Sequence, residues 1–291
     1  MPGKLGIVAA AVVLVVVVAA DEAHVKQVEA WRAKHESDYT RNYVPLVGLA
    51  FLKPGVNTAG SARSNQVVLP QRLPASVGRF VYQDGRIRFE PDPSAGVTLN
   101  GKPVTAPIEL KSDGEQLRDG AVTFWVHHSG DRRAIRIHDP ESAIVKAFAG
   151  YRWFPIDEKY RVVGKFIKDP APRELKIPTL VGDYDVYRTE GVVEFTLLGQ
   201  TVRMRPMTTR PGRLYFIFRD GTSGKETYEA ARFLYSNLNA DGTTMLDFNE
   251  AYNPPCSFNP YTTCPIPPAE NRLAIRILAG ERDYAGTLPK P

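Results

Sequence analysis

The residues best suited to chemistry crowd into the last third of the chain. Asp247, Asn249, Tyr252 and Asn253 follow one another closely in a stretch stiffened by Pro254, Pro255, Pro265, Pro267 and Pro268. Polar groups on a stiff, irregular loop beside a sheet are pre-organised, which favours binding or catalysis. Arg219-Asp220 upstream and Arg272 downstream add guanidinium groups capable of a bidentate grip on an anion. A carboxylate near a tyrosine hydroxyl also suits general acid–base work. Arg219, Asp220, Asp247, Asn249, Tyr252, Asn253 and Arg272 are therefore the candidate ligand-binding residues. Of these, Arg219, Asp247, Asn249, Tyr252 and Arg272 are expected to converge on one concavity. The plainer alternative is that Asp and Asn satisfy loop amides while Arg–Asp pairs knit loops together.

The familiar enzyme signatures are missing. The chain has no Gly-x-Ser-x-Gly elbow and no His-Glu-x-x-His, and Gly221-Thr222-Ser223-Gly224-Lys225 lacks the spacing of a phosphate-binding loop. No histidine follows His138, so a triad in the C-terminal half would have to borrow His127, His128 or His138. If chemistry occurs there, it is expected to use Asp247 as base with Arg219 or Arg272 holding an oxyanion. No cofactor is expected, and no metal. The only cysteines, Cys256 and Cys264, flank a short Pro-rich segment and are expected to form a local disulfide, with buried thiols or a reactive or metal-bound pair as alternatives.

These residues need elements to position them. After Lys4, an apolar run of about 16 residues (5–20) ends in Ala19-Ala20 before Asp21-Glu22. It falls short of the roughly 20 residues a spanning helix wants. A positive start, an apolar core and a small-residue end predict a cleaved signal peptide over 1–20 and a periplasmic or secreted protein, with an uncleaved N-terminal anchor as the alternative. Asp21 can cap a helix to about Tyr39, whose Val25, Val28, Trp31 and His35 form a stripe that covers a sheet, His35 at its polar margin. Helix and linker together occupy 21–45.

Beyond residue 46 the pattern alternates with period two, and Asp84-Gly85 and Asn100-Gly101 mark tight hairpins. A further hairpin turns at Gly130-Asp131. It places His127 opposite Ala134, His128 opposite Arg133 and His138 opposite Thr123. His138 then lies on the order of 13 Å along the strand from the other two, which argues against a three-histidine metal site. A sheet-forming unit is predicted over 46–142. A second antiparallel β unit with the Pro-rich loop is predicted over 143–291, its strands punctuated by Gly191, Gly199-Gln200 and Pro211-Gly212. The fold expected is mainly β: an N-terminal helix, a sandwich, then an antiparallel barrel or sandwich.

Two resemblances follow. Gly60-Ser61-Ala62-Arg63-Ser64-Asn65, the Asn100-Gly101 hairpin and Leu117-Arg118-Asp119-Gly120 resemble a forkhead-associated sandwich over about 46–138. That family's phosphate-gripping Arg is here Ser61, and its Ser-Arg-x-x-His stretch is reduced to Ala75-Ser76-Val77-Gly78-Arg79. The resemblance therefore implies the fold and argues against reading phosphothreonine. Asp247-Phe248-Asn249, Ala251-Tyr252-Asn253-Pro254-Pro255-Cys256, Thr263-Cys264-Pro265 and Asn271-Arg272-Leu273, in that order, resemble the bacterial and archaeal family known as domain of unknown function 1684, which implies kinship and no particular reaction.

Composition narrows the function classes. With 43% hydrophobic and 24% charged residues the chain is neither disordered nor fibrous. The net charge of +5 is spread thinly, so nucleic-acid binding is not expected, nor membrane association after leader cleavage. The leading expectation is a small polar or anionic ligand bound in the C-terminal β unit. The rivals are a His-independent hydrolase and a non-catalytic protein-docking scaffold, and no specific protein partner is indicated.

Overall fold

The computed structural model describes residues 5–111 and 114–288, with side chains described from residue 22 onward. The side chains of the predicted leader, 1–20, therefore lie outside the described residues. A single helix, α1, runs Leu5–Tyr43, so Asp21 lies inside it and not at its start. No Gly or Pro occurs between 7 and 43 to break the turn, and the helix ends just ahead of Pro45, as the bias against helical backbone before proline requires. Among the described residues no helix is long and apolar enough to cross a membrane.

Among the described residues eleven strands follow: β1 (Leu46–Phe51), β2 (Gly55–Gly60), β3 (Val67–Val68), β4 (Gly78–Gln83), β5 (Arg86–Pro91), β6 (Thr98–Leu99), β7 (Lys102–Pro103), β8 (Ile108–Leu110), β9 (Leu117–Asp119), β10 (Val122–Ser129) and β11 (Arg132–His138). They form two sheets, β1-β11-β10-β9-β6-β7 and β3-β2-β4-β5-β8. Asp84-Gly85 and Asn100-Gly101 both take positive φ at each central position, the backbone that matches a two-residue hairpin to strand twist. The register of β10 on β11 pairs Thr123 with His138, His127 with Ala134 and His128 with Arg133, as the turn position requires. Phe80 and Phe89 from one sheet each meet Phe124 from the other at 6.3 Å between ring centroids, in the core between the two sheets of a sandwich.

After the short helix α2 (Ala143–Ala147) come β12 (Arg161–Pro178), β13 (Tyr184–Leu197), β14 (Gln200–Met204), β15 (Met207–Arg210), β16 (Arg213–Phe218), β17 (Arg232–Asn237) and β18 (Thr243–Asp247). They build an antiparallel sheet β14-β13-β12-β18 and a second sheet β15-β16-β17. Both are open, so of barrel and sandwich the open form is the one built. Gly191, expected to separate two strands, instead lies within β13. A Cβ there would stand 2.3 Å from the Ile167 carbonyl oxygen, so glycine permits the close approach. The β12–β13 ladder shifts register between Lys168 and Arg173, where Pro170 and Pro172 lack the N–H a ladder needs. Phe195, Phe216, Phe218, Phe248 and Leu246 fill one core of this half. A second core gathers Ile177, Met207, Tyr215, Phe233 and Tyr252, with Trp31, Tyr39 and Trp153 packed on it.

Candidate functional site

The site is assembled where β18 runs out. Phe248 is fully buried against Phe195 and Phe218, with centroids 5.7 and 5.8 Å away, and this anchor pins a 3-10 turn over Phe248–Glu250. Asp247 caps the turn by accepting the Asn249 N–H at 3.0 Å. Asp247 and Glu250, three residues apart in one helical turn, thereby share a side. Because β18 pairs with the start of β12, Arg161 stands directly across the ladder from Asp247, its Nε 3.9 Å from Oδ2. From the other side α1 brings His24. Its Nε2 lies 2.5 Å from Asp247 Oδ2 and its Nδ1 2.7 Å from Glu158 Oε1, so one buried imidazole is bracketed by two carboxylates.

Between α1 and the strand ends opens a cleft of about 360 Å³, lined by Trp31, Arg161, Arg213, Tyr235, Asp247 and Glu250 among others. The Arg213 guanidinium sits 4.8 Å from the Tyr235 ring centroid and donates to Asn237 Oδ1 at 2.9 Å, which fixes its direction. Burial, and then the Asp247 charge, push the Glu250 carboxyl up to about 7; His24, Arg213 and Arg161 pull the other way. At neutral pH this group can give or take a proton, in a cleft with guanidinium groups for an anion and an aromatic wall. Among the described residues no cluster of three or more His, Cys, Asp or Glu is placed to hold a metal ion.

The five residues expected to converge do not. Asp247 lines this cleft, but its Oδ1 is taken by the backbone and side-chain N–H of Asn249 and its Oδ2 by His24, so it positions neighbours and has no open approach as a base. Asn249 is fully buried: its amide donates to the Asp157 carbonyl at 3.0 Å and accepts the Asp157 N–H at 3.0 Å. Tyr252 is buried on the far side, under α1. Arg219 and Arg272 meet through backbone in a short parallel bridge, where Leu273 N–H donates to the Arg219 carbonyl at 2.8 Å. Asp220 is buried with Arg232, carboxylate to Nη1 at 2.6 Å, and Arg232 reaches on to the Ile277 and Ala279 carbonyls, so the pair knits two loops together. Asn253 donates its side-chain amide to the Arg282 carbonyl and its backbone N–H to Glu281 Oε2. Local backbone amides have claimed most of these side chains, as Asp and Asn in long loops usually allow.

Cys256 and Cys264 are not bridged: both are free, buried thiols. The Cys256 N–H points at Cys264 Sγ, 3.3 Å away. Burial, then its hydrogen bond to Cys264, raises the Cys256 thiol well above the ordinary range. At Cys264 burial is outweighed by hydrogen bonds from Cys256 and Thr262. The pair shares a hydrogen bond in place of a covalent link.

The residues that sequence reasoning missed are His24, Arg161, Arg213 and Glu250. Two carried a local signal: Glu250 follows Asp247 at a same-face spacing, and His24 heads the stripe that continues through Val28 and Trp31. His35, placed at the polar margin of that stripe, is instead buried, stacked on Trp31 at 5.0 Å and 9°, and burial drives its imidazole down to about 4.

None of the curated proteins matches the chain. Among solved structures, an uncharacterized protein of Haloarcula marismortui determined by solution NMR is 27% identical, covering 50% of this chain and 82% of its own, with a TM-score of 0.41. Two FHA-domain structures align over 30% of this chain. One, from a study of phosphothreonine-dependent interactions, is 19% identical over 91% of its own length. The other, the FhaA FHA domain bound to an intracellular domain, is 18% identical over 96%, and both have a TM-score of 0.23. The segment that carries Arg161, Arg213, Asp247 and Glu250, residues 146–282, matches the family described as "Protein of unknown function (DUF1684)".

Proposed function

We propose that the chain binds a small polar ligand bearing an anionic group, in the cleft between α1 and the ends of β16–β18. The supporting observation is Glu250, a partly buried carboxyl held near 7 that lines the same cleft as Arg161 and Arg213. The guanidinium groups take the anion, Glu250 in its protonated form donates to a hydroxyl or carbonyl, and Trp31 and Tyr235 cover an apolar face. The test is a thermal-shift and calorimetric screen of the full chain against sugar phosphates, amino acids and inorganic phosphate. A compound that raises Tm in the wild type should lose at least about tenfold in affinity in Glu250→Gln and in Arg213→Gln. Equal binding by both variants, or no response to the whole panel, overturns the reading.

A second reading rests on the same carboxyl: near 7 it is suited to general acid–base chemistry, with Asp247 and His24 as its supports. Turnover of an ester or glycoside that follows one titration near pH 7, and disappears in Glu250→Gln, would favour it. Export is proposed alongside, supported by the apolar run over 5–20. N-terminal sequencing of protein recovered from the producing cells should read from Asp21; retention of Met1 counts against it.

A further inference from the structure

A second cavity, of about 220 Å³, opens on the other side of Tyr235, where the sandwich meets the C-terminal half. Its walls come from four places far apart in sequence: the end of α1 (Tyr39, Tyr43), β16 and β17 (Tyr215, Phe233, Tyr235), the Pro-rich loop (Tyr252, Thr263, Cys264), and β10 and β11 (His127, Arg136). The rings touch in sequence: Tyr43 and Tyr39 are 4.7 Å apart between centroids, Tyr39 and Tyr252 5.5 Å, Tyr252 and Phe233 5.7 Å, Phe233 and Tyr215 5.3 Å, Tyr215 and Tyr235 4.6 Å. Tyr215, Phe233 and Tyr252 belong to the second core and Tyr235 also lines the polar cleft, so packing already fixes the rings that border this cavity.

An aromatic cage ordinarily invites a cation. Here the charge argues the other way. Among the described residues of the lining Arg136 is the only formally charged one, and none is Asp or Glu. His127 adds no second charge: burial, and then the neighbouring Arg136, push its imidazole down to about 3, and its neutral Nε2 lies 3.0 Å from Arg136 Nη2 and 3.1 Å from Thr263 Oγ1. Burial pushes the Tyr39, Tyr215 and Tyr252 hydroxyls upward, so each remains a proton donor at neutral pH. The cavity thus offers stacking faces, neutral O–H donors and one guanidinium. The volume is below the roughly 300–1,000 Å³ typical of drug-sized ligands, so it suits one ring and not two.

We infer that this cavity is a binding site for a small aromatic carboxylate, the ring lying among the tyrosines and the carboxylate facing Arg136. The test is calorimetry on the full chain with 4-hydroxybenzoate as the probe, and with benzyltrimethylammonium and cyclohexanecarboxylate as comparators. 4-Hydroxybenzoate should bind, cyclohexanecarboxylate at least about tenfold more weakly for want of a π face, and the ammonium not at all. Arg136→Gln should weaken the probe by about tenfold or more, while Glu250→Gln, in the other cleft, leaves it unchanged. Should Arg136→Gln fail to fold, Tyr43→Leu removes a partly exposed wall and should weaken the probe while preserving the far-ultraviolet circular dichroism. Preference for the ammonium, equal affinity for the saturated acid, loss of binding in Glu250→Gln, or no binding at all overturns the inference.

Discussion

Glu250 meets two opposing demands, since burial and Asp247 favour its neutral form while two guanidinium groups and His24 favour its charge, and burial wins. The consequence is a stability that depends on pH in a definite sense. An unfolded chain releases this proton near 4.5, whereas the native state holds it to about 7. Stability from this group is therefore complete below about 4.5 and is lost as pH rises through 7. Glu281, fully buried, acts in the same direction, its carboxyl pushed to about 8 by burial. Glu250→Gln should flatten the decline between pH 5 and 7 by about 1–3 kcal/mol and leave the part due to Glu281. Urea unfolding at half-unit pH intervals measures it; an unchanged slope would show that Glu250 is ionised in the native state.

At the scale of elements, α1 and the Pro-rich loop hold the arrangement together. Along α1, Val28 is buried, Arg32 donates to the Phe154 carbonyl at 3.1 Å and the Asn249 carbonyl at 3.1 Å, and Glu36 accepts the Trp153 Nε1–H at 2.6 Å. The loop is tied to the end of the helix by one side chain. Asn259, fully buried, directs its amide N–H groups to the carbonyls of Tyr43, Val44 and Leu46 at 2.9–3.3 Å, while its oxygen accepts the Tyr261 N–H. Asn259→Ala leaves these carbonyls without that donor, so it should cost about 1–3 kcal/mol. It should also speed hydrogen exchange at 44–46 and 259–262, read by mass spectrometry, more than at β13. Uniform exchange across the chain would mean that the loop is held by its prolines alone.

On the scale of the whole molecule, the sandwich and the C-terminal half have separate apolar cores and a polar seam between them. Arg132 pairs with Asp183 and donates to the Val181 carbonyl at 2.9 Å, and the Tyr184 hydroxyl donates to Asp131 at 3.1 Å, while His138 Nε2 ties the sandwich to α1 at the Arg41 carbonyl, 3.1 Å away. Together with Asn259 and the aromatic end of α1, these contacts couple the halves. Urea should therefore unfold the protein in one transition, with tryptophan fluorescence and far-ultraviolet circular dichroism superimposed. Two separated transitions would mean that each core is stable without the seam.

Much of this protein is determined locally. Alternation with period two, paired with Asp84-Gly85, Asn100-Gly101 and the turn at Gly130-Asp131, is enough to specify hairpins and the 122–138 register, because a one-residue slip would turn every apolar side chain outward. The kinship of 146–282 is likewise legible in its motifs. The use to which the motif residues are put is not. Asp220, Asn249 and Asn253 look like a binding set, yet the nearest unpaired backbone groups and a buried Arg232 claim them, and that competition is settled only when the loops are packed. Asp247, in the cleft wall, is held by His24 across 223 residues of chain. No local pattern encodes that distance: it follows from how α1 seats Val28 and Trp31 on the C-terminal half, and burial of that seam gives Glu250 its proton at neutral pH.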